Sequence, residues 1–390
     1  MILRRLILLI GIILGLSAAT LFILLYRAYG MQTVIFLIRS SPHTIWTYTQ
    51  PLIYPPVKEE KNTTSRSFFE DLLGPQSTPL PPPPPKHYIG TMSHMFQKLN
   101  NCGPSSAAMA ASTLGVNFDQ FAAADVMKGS YSDKNVAAGE MVSYLESRGL
   151  KAVHRFNGNI ELLEQLTSRD IPVIVEQWLL KPGSNELTGH YRVMRGYDQK
   201  TRIFTTNDSY NGANFTIPYK QFDEWWRPFN RGYVVVYKPE QEEVVKQILG
   251  SDWDAMRNYQ GAAKVAETET QSIGDGYSYF NLGSSETVIG NYAKAETAYD
   301  KALTYTFPPL FLWYQFGPLE AYTQQGKYNK VFEMTDKLLS SAGEVEEARY
   351  YRGLSYLKQG NKDKAKEEFE KSVAANPRYT PAQIELDKLN

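Results

Sequence analysis

The sequence predicts an α+β domain followed by an all-α helical repeat domain, behind an N-terminal transmembrane helix. Three observations carry this expectation: an apolar run at residues 6–26, helix-period segments giving way to short strand-like runs between residues 87 and 240, and small and aromatic residues recurring about every 34 residues towards the C-terminus. The corresponding boundaries are 1–30 for the anchor, 31–86 for a Pro-rich extracytoplasmic linker, 87–240 for the α+β domain and 241–390 for the repeats.

Composition narrows the function classes. The chain has 390 residues, too many for one ordinary domain. Lys+Arg and Asp+Glu stand at 41 each, so the formal net charge is zero and no basic surface for nucleic acid is expected. A single cysteine, Cys102, rules out an internal disulfide or a Cys-based zinc finger. The five histidines form no His-Glu-x-x-His pattern, and nothing calls for a metal or cofactor.

Residues 6–26 carry only Ser17 and Thr20 as clearly polar side chains, about the length needed to cross a hydrocarbon core as a helix. Arg4 and Arg5 in front argue for a cytoplasmic N-terminus and an extracytoplasmic remainder, single-pass in the cell membrane. A cleaved signal peptide competes, because Ser17-Ala18-Ala19 offers small residues. The apolar run continues through Leu21-Phe22-Ile23-Leu24-Leu25, an odd start for a mature protein, so a retained anchor is expected. The unbroken prolines at 81–85 favour polyproline II, a stiff spacer.

In the middle domain, helices are expected at 102–114, 136–148 and 160–169, and strands at 151–156, 172–179, 191–197, 203–206 and 233–237. Helices first and a largely antiparallel sheet after them give the α+β class. The chemistry gathers at Gln97-Lys98-Leu99-Asn100-Asn101-Cys102-Gly103-Pro104. A lone thiol is usually a small buried hydrophobe, but one at the first turn of a helix lies in the positive end of the dipole, which favours thiolate. Gln97 can turn its amide NH2 to the same place as an oxyanion donor, with the Cys102 N–H as the second.

A nucleophilic cysteine needs a base. His190 opens a strand, and Asp208 ends the next. A three-residue hairpin loop at 198–200 pairs Tyr197 with Thr201 and sets His190 opposite Asp208; a two-residue loop at 199–200 sets it opposite Ser209. Directly paired side chains lie roughly 5 Å apart. Asp198, eight residues along the strand, is roughly 26 Å away. His94 and His154 read as structural, with a role as alternative base the lesser reading; Glu176 and Trp178 read as sheet residues, with a substrate role the lesser reading; Trp225 and Trp226 read as packing under the sheet. Asn207-Asp208-Ser209 matches a glycosylation pattern but overlaps the candidate site, which favours a bacterial origin and an accidental match.

Gln97-x-x-x-Asn101-Cys102-Gly103-Pro104, then His190-Tyr191-x-Val193-x-x-Gly196-Tyr197-Asp198, then an Asp at a following strand end, resembles the C39-like peptidases of the papain-like superfamily over residues 88–237. The resemblance implies a papain-like fold acting on peptide or protein substrates. It implies Cys102 as nucleophile, His190 as general base, Asp208 as orienting acid and Gln97 as oxyanion donor. This chain has Asp208-Ser209 where the family typically has Asp-Pro, and Asn207 beside it is an alternative orienting group. An inactive scaffold and an acyl-transferring thiol enzyme are the competing classes. No Walker A motif is present, so ATP-driven export is not assigned.

The C-terminal third resembles tetratricopeptide repeats. One copy reads Tyr279, Leu282-Gly283, Gly290-Asn291-Tyr292, Ala295, Tyr299 and Ala302; another reads Gly353, Tyr356, Gly360-Asn361-Lys362, Ala365, Phe369 and Pro377. A weaker copy lies between, at Tyr322, Gly326-Lys327-Tyr328 and Val331. Residues 240–274 are expected to add a helical pair or cap, including Trp253. The resemblance implies a surface for peptides or a protein partner.

Overall fold

The alternation of β-branched and aromatic residues in the middle domain builds one sheet with helices on both faces. The computed structural model describes residues 80–129, 133, 136–180, 187–308 and 310–389. The apolar run at 6–26 and most of the linker lie outside the described residues. Among the described residues, no helix is long and apolar enough to cross a membrane.

The strands are β1 (Lys86–Tyr88), β2 (Lys151–Arg155), β3 (Val173–Leu180), β4 (Leu187–Asp198), β5 (Ile203–Asp208), β6 (Gly212–Pro218) and β7 (Tyr233–Tyr237). Their order is β2-β7-β3-β4-β5-β6, with β1 pairing antiparallel to β4. Strand β7 is buried on both faces, as an unbroken Tyr-Val-Val-Val-Tyr run requires. Val234 and Val236 join the core under α1 (Cys102–Thr113), α2 (Gln120–Met127) and α3 (Ala138–Ser147); Tyr233, Val235 and Tyr237 join the opposite core with α4 (Ile160–Thr167), α5 (Tyr219–Trp226) and α6 (Glu242–Leu249). The period of two thus feeds two helical layers. Trp226 packs beneath the sheet in the second core, while Trp225 borders it.

Two sequence expectations need correction. The β4–β5 loop has four residues: Asp198 pairs with Ile203, and the register shifts between Met194 and Gly196. Arg192, not His190, is therefore directly opposite Asp208. The main reason is the turn, whose pairing starts at Asp198 and Ile203 and would set Val193 opposite Asp208; a β-bulge at Arg195 then shifts the register back by one, to Arg192. Secondly, the expected strand and helix list omitted β1, β6, α2 and α5.

The C-terminal region continues with α7 (Ala255–Ser272), α8 (Gly276–Ile289), α9 (Tyr292–Ala302), α10 (Gly317–Gln324), α11 (Tyr328–Ala342), α12 (Glu346–Lys358), α13 (Lys362–Ala375) and α14 (Thr380–Leu389). Ala295, Val331 and Ala365, the three aligned small positions, are all fully buried. Within a repeat, a glycine receives an aromatic ring from the partner helix. A Cβ on Gly283 would lie 2.7 Å from the Tyr299 ring, and one on Gly353 would lie 2.5 Å from Phe369. Gly283→Ala should therefore destabilise by about 1–2 kcal/mol, the overpacking cost outweighing the gain in helix propensity. Gly139→Ala, with open space around it, should change stability by less than about 0.5 kcal/mol; paired thermal melts compare the two.

The helices do not hang from the sheet by a free linker. Asn258 of α7 both donates to Phe156 O and accepts from Phe156 N, each at 2.9 Å. Arg231 Nη1 lies 2.9 Å from Glu269 Oε1. A shared core joins Trp178 and Phe229 to Phe280, Tyr299 and Phe311. The segment between α9 and α10 carries Phe311 and Tyr314, which turn back onto the sheet.

Candidate active site

Small residues let α1 sink against the sheet and bring its first residue to β4. Residues from Gly103 through Ala111 are buried. Ser106 Oγ donates to Tyr191 O at 3.2 Å, fastening the helix beside His190. Gly103 lets α1 close on the segment before α3, since a Cβ there would sit 3.0 Å from the Val136 side chain. Cys102 is the first helical residue, so its N–H belongs to the set with no intrahelical acceptor.

His190 and Asp208 are fully enclosed, at 2% and 0% exposure. His190 Nε2 donates to Asp208 Oδ1 at 2.8 Å. With Nε2 engaged by Asp208, Nδ1 is the nitrogen that can serve Cys102, whose side chain and the imidazole each act on the other's protonation. Burial alone pushes the Cys102 thiol up. The hydrogen bond and charge of His190, with backbone bonds from Tyr191 and Gly103, bring it below the ordinary 9.0. Burial pushes His190 down, but the charge and hydrogen bond of Asp208 and the bond to Cys102 raise it above 6.5. The opposed shifts favour a thiolate–imidazolium pair.

Asp208 reaches His190 diagonally along one sheet face, because His190 and Arg192 are two residues apart on β4. Its other oxygen, Oδ2, accepts from Arg192 Nε at 2.7 Å and from Asn211 Nδ2 at 2.9 Å. Tyr210 N and Asn211 N donate to Oδ1 at 2.8 and 2.9 Å. Burial opposes ionisation of Asp208, yet the charges of His190 and Arg192 and these hydrogen bonds hold it well below the usual carboxylate range. Arg192 is itself locked, donating Nη1 to Gln177 Oε1 and Trp178 O at 3.1 Å each. Sequence reasoning missed Arg192; its period-two spacing from His190 was the available signal.

Gln97 is tied to the strand end after Asp208. Its N–H donates to Ser209 O at 2.8 Å, and Ser209 Oγ donates to its Oε1 at 2.8 Å. The carboxamide oxygen is thereby occupied, and the NH2 end is the one left for a ligand. A proline at 209 could not make this side-chain bond, so the departure from Asp-Pro has a definite structural use. Asn207 lies on the opposite face of β5, donating to Ser93 O and accepting from Arg195 Nη1. It is not brought to His190, and its 0% exposure leaves no room for a glycan. His94 Nε2 donates to Asp208 O at 3.0 Å, a backbone prop. His154 is pushed down to about 4 by burial and the Arg155 charge, and packs on Phe156.

Residues 89–234 match the Peptidase_C39 like family. Residues 276–307 and 346–379 each match a tetratricopeptide repeat. Among solved structures, a C39-like peptidase from Bacillus anthracis is similar at 17% identity and a TM-score of 0.33, covering 39% of this chain and 98% of its own. A double glycine motif protease from an AMS/PCAT transporter, in complex with its leader peptide, is similar at 18% identity and a TM-score of 0.29, covering 38% and 91%. The peptidase domain of Streptococcus ComA, a bifunctional ABC transporter in quorum sensing, is similar at 15% identity and a TM-score of 0.30, covering 38% and 98%. No curated protein matches. The chain thus joins a C39-like peptidase domain to tetratricopeptide repeats.

Proposed function

We propose that this chain is a membrane-anchored, extracytoplasmic cysteine peptidase that hydrolyses peptide bonds through Cys102, His190 and Asp208. The observation that supports the reading is the 2.8 Å hydrogen bond from the buried His190 to the buried Asp208, together with the opposed shifts that Cys102 and His190 impose on each other. The Cys102 thiolate attacks the scissile carbonyl carbon. The oxyanion receives hydrogen bonds from the Cys102 N–H and the Gln97 NH2. His190 protonates the amine nitrogen as the C–N bond breaks, leaving a thioester. His190 then takes a proton from water, whose oxygen attacks the thioester and releases acid and thiolate. The repeats serve as a docking surface for substrate or a protein partner.

The test is alkylation and hydrolysis in parallel. Wild type should react with iodoacetamide at neutral pH and cleave a peptide pool; Cys102→Ala should cleave nothing. A wild type that neither labels nor cleaves would make the domain an inactive scaffold. Products joined to an added amine would make it a transferase. The anchor is tested by alkaline carbonate extraction: the full chain should stay with the membrane pellet, whereas a chain starting at residue 31 should be released.

A further inference from the structure

Resting on the peptidase reading, we propose that Glu176 of β3 and Tyr314 of the helical region form a composite subsite beside Cys102 that accepts a basic side chain of the substrate. Three observations place it. Tyr314 is carried out of the repeats by the turn at Phe311–Trp313 and held there by Phe311 packing on Trp178. Its hydroxyl lies 2.7 Å from Thr188 Oγ1, and its ring covers Gly189, where a Cβ would stand 3.0 Å away. Thr188 and Gly189 immediately precede His190, so the repeat region supplies a wall of the cleft rather than a remote platform.

Glu176 is the second element. It is only partly buried in a strand otherwise almost wholly enclosed. Its carboxyl makes no hydrogen bond or ion pair among the described residues, unlike Asp208 a short way along the sheet. Glu176 stands two residues before Trp178 on β3 and so on the same sheet face, the face on which Phe311 of the Tyr314 segment packs; the charges of Cys102 and Glu176 both act on Tyr314. Burial first, then the Cys102 charge, push Glu176 up to about 8. A partly buried carboxyl without a partner is costly. A lysine or arginine side chain would relieve it, laying its alkyl stem on the Tyr314 ring and its cation against the carboxylate. The proton held on Glu176 is released to solvent as the cation binds.

The experiment compares paired peptidyl chloromethyl ketones, lysine against isosteric norleucine, at each of the three positions preceding the ketone. Rates are divided by each variant's own iodoacetamide rate. At one position, wild type should prefer lysine at least about tenfold, Glu176→Gln should bring the ratio to within about twofold of unity, and Tyr314→Ala should lower it at least about threefold. Glu176→Arg should prefer a glutamate probe, which covers the case in which another variant folds poorly. A flat wild-type ratio with normal iodoacetamide labelling overturns the subsite alone, as does a lysine preference that survives Glu176→Gln. No iodoacetamide labelling of Cys102 overturns the peptidase reading and the subsite with it.

Discussion

His190→Ala is expected to abolish peptide cleavage, at least about 10⁴-fold, and to slow iodoacetamide labelling at pH 7. The argument runs through the causes acting on Cys102. Burial raises the thiol, and His190 supplies the largest opposing contributions, its hydrogen bond and its charge. With the imidazole gone, only the backbone bonds from Tyr191 and Gly103 oppose burial. The thiol then moves back up, and its thiolate fraction at pH 7 falls. The variant's onset of labelling should lie at a higher pH than the wild type's. Labelling of the variant should recover at pH 10, where solvent base makes the thiolate. That recovery separates lost activation from lost fold. A variant labelled at the wild-type rate at pH 7 would remove His190 from the mechanism.

How far the site was legible depends on the range of the contacts involved. Cys102, His190, Asp208 and Gln97 could be picked out because each sits at a local feature: a helix start, a strand start, a strand end and a loop five residues before the thiol. Strand β7 falls on its expected residues, since a five-residue apolar run buried on both faces leaves little choice. The β4–β5 register was not legible. A bulge at Arg195 and a four-residue loop shift it by amounts that only tertiary packing fixes. Strand β1 was hidden because it is three residues long and follows a proline run. Strand β6 was hidden because Gly212 and Asn214, both at positive φ, read as turn residues. Arg192, Ser209 and Tyr314 make their contacts with partners distant in sequence. A single sequence carries no signal that pairs Tyr314 with Thr188 across 126 positions.

Asp208→Asn should cost both catalysis and folding, and the two losses should separate on a second substitution. The carboxylate accepts five hydrogen bonds, from His190 Nε2, Arg192 Nε, Asn211 Nδ2 and the N–H groups of Tyr210 and Asn211. An amide has one accepting end. If its oxygen keeps Oδ1's place, its NH2 faces the Arg192 guanidinium and the Asn211 amide, donor against donor. If it flips, it faces the imidazole N–H and two backbone donors. Either way Arg192, 1% exposed, loses its counter-charge. Removing one partner of a buried ion pair costs about 3–5 kcal/mol, and urea unfolding at pH 7 should show a loss of that size. The pH sign follows from the depressed carboxyl. Its stabilisation is fully present above the unfolded value near 3.8 and is lost as pH falls below it. The gap between wild type and variant should therefore narrow in acid. Adding Arg192→Met to Asp208→Asn removes the orphaned charge and should recover a large part of the stability. Cleavage should stay at least about 100-fold down, because His190 still lacks the anion that orients it and stabilises its charge. Recovery of cleavage along with stability would mean that Asp208 only holds the fold, and His190 would need another orienting group.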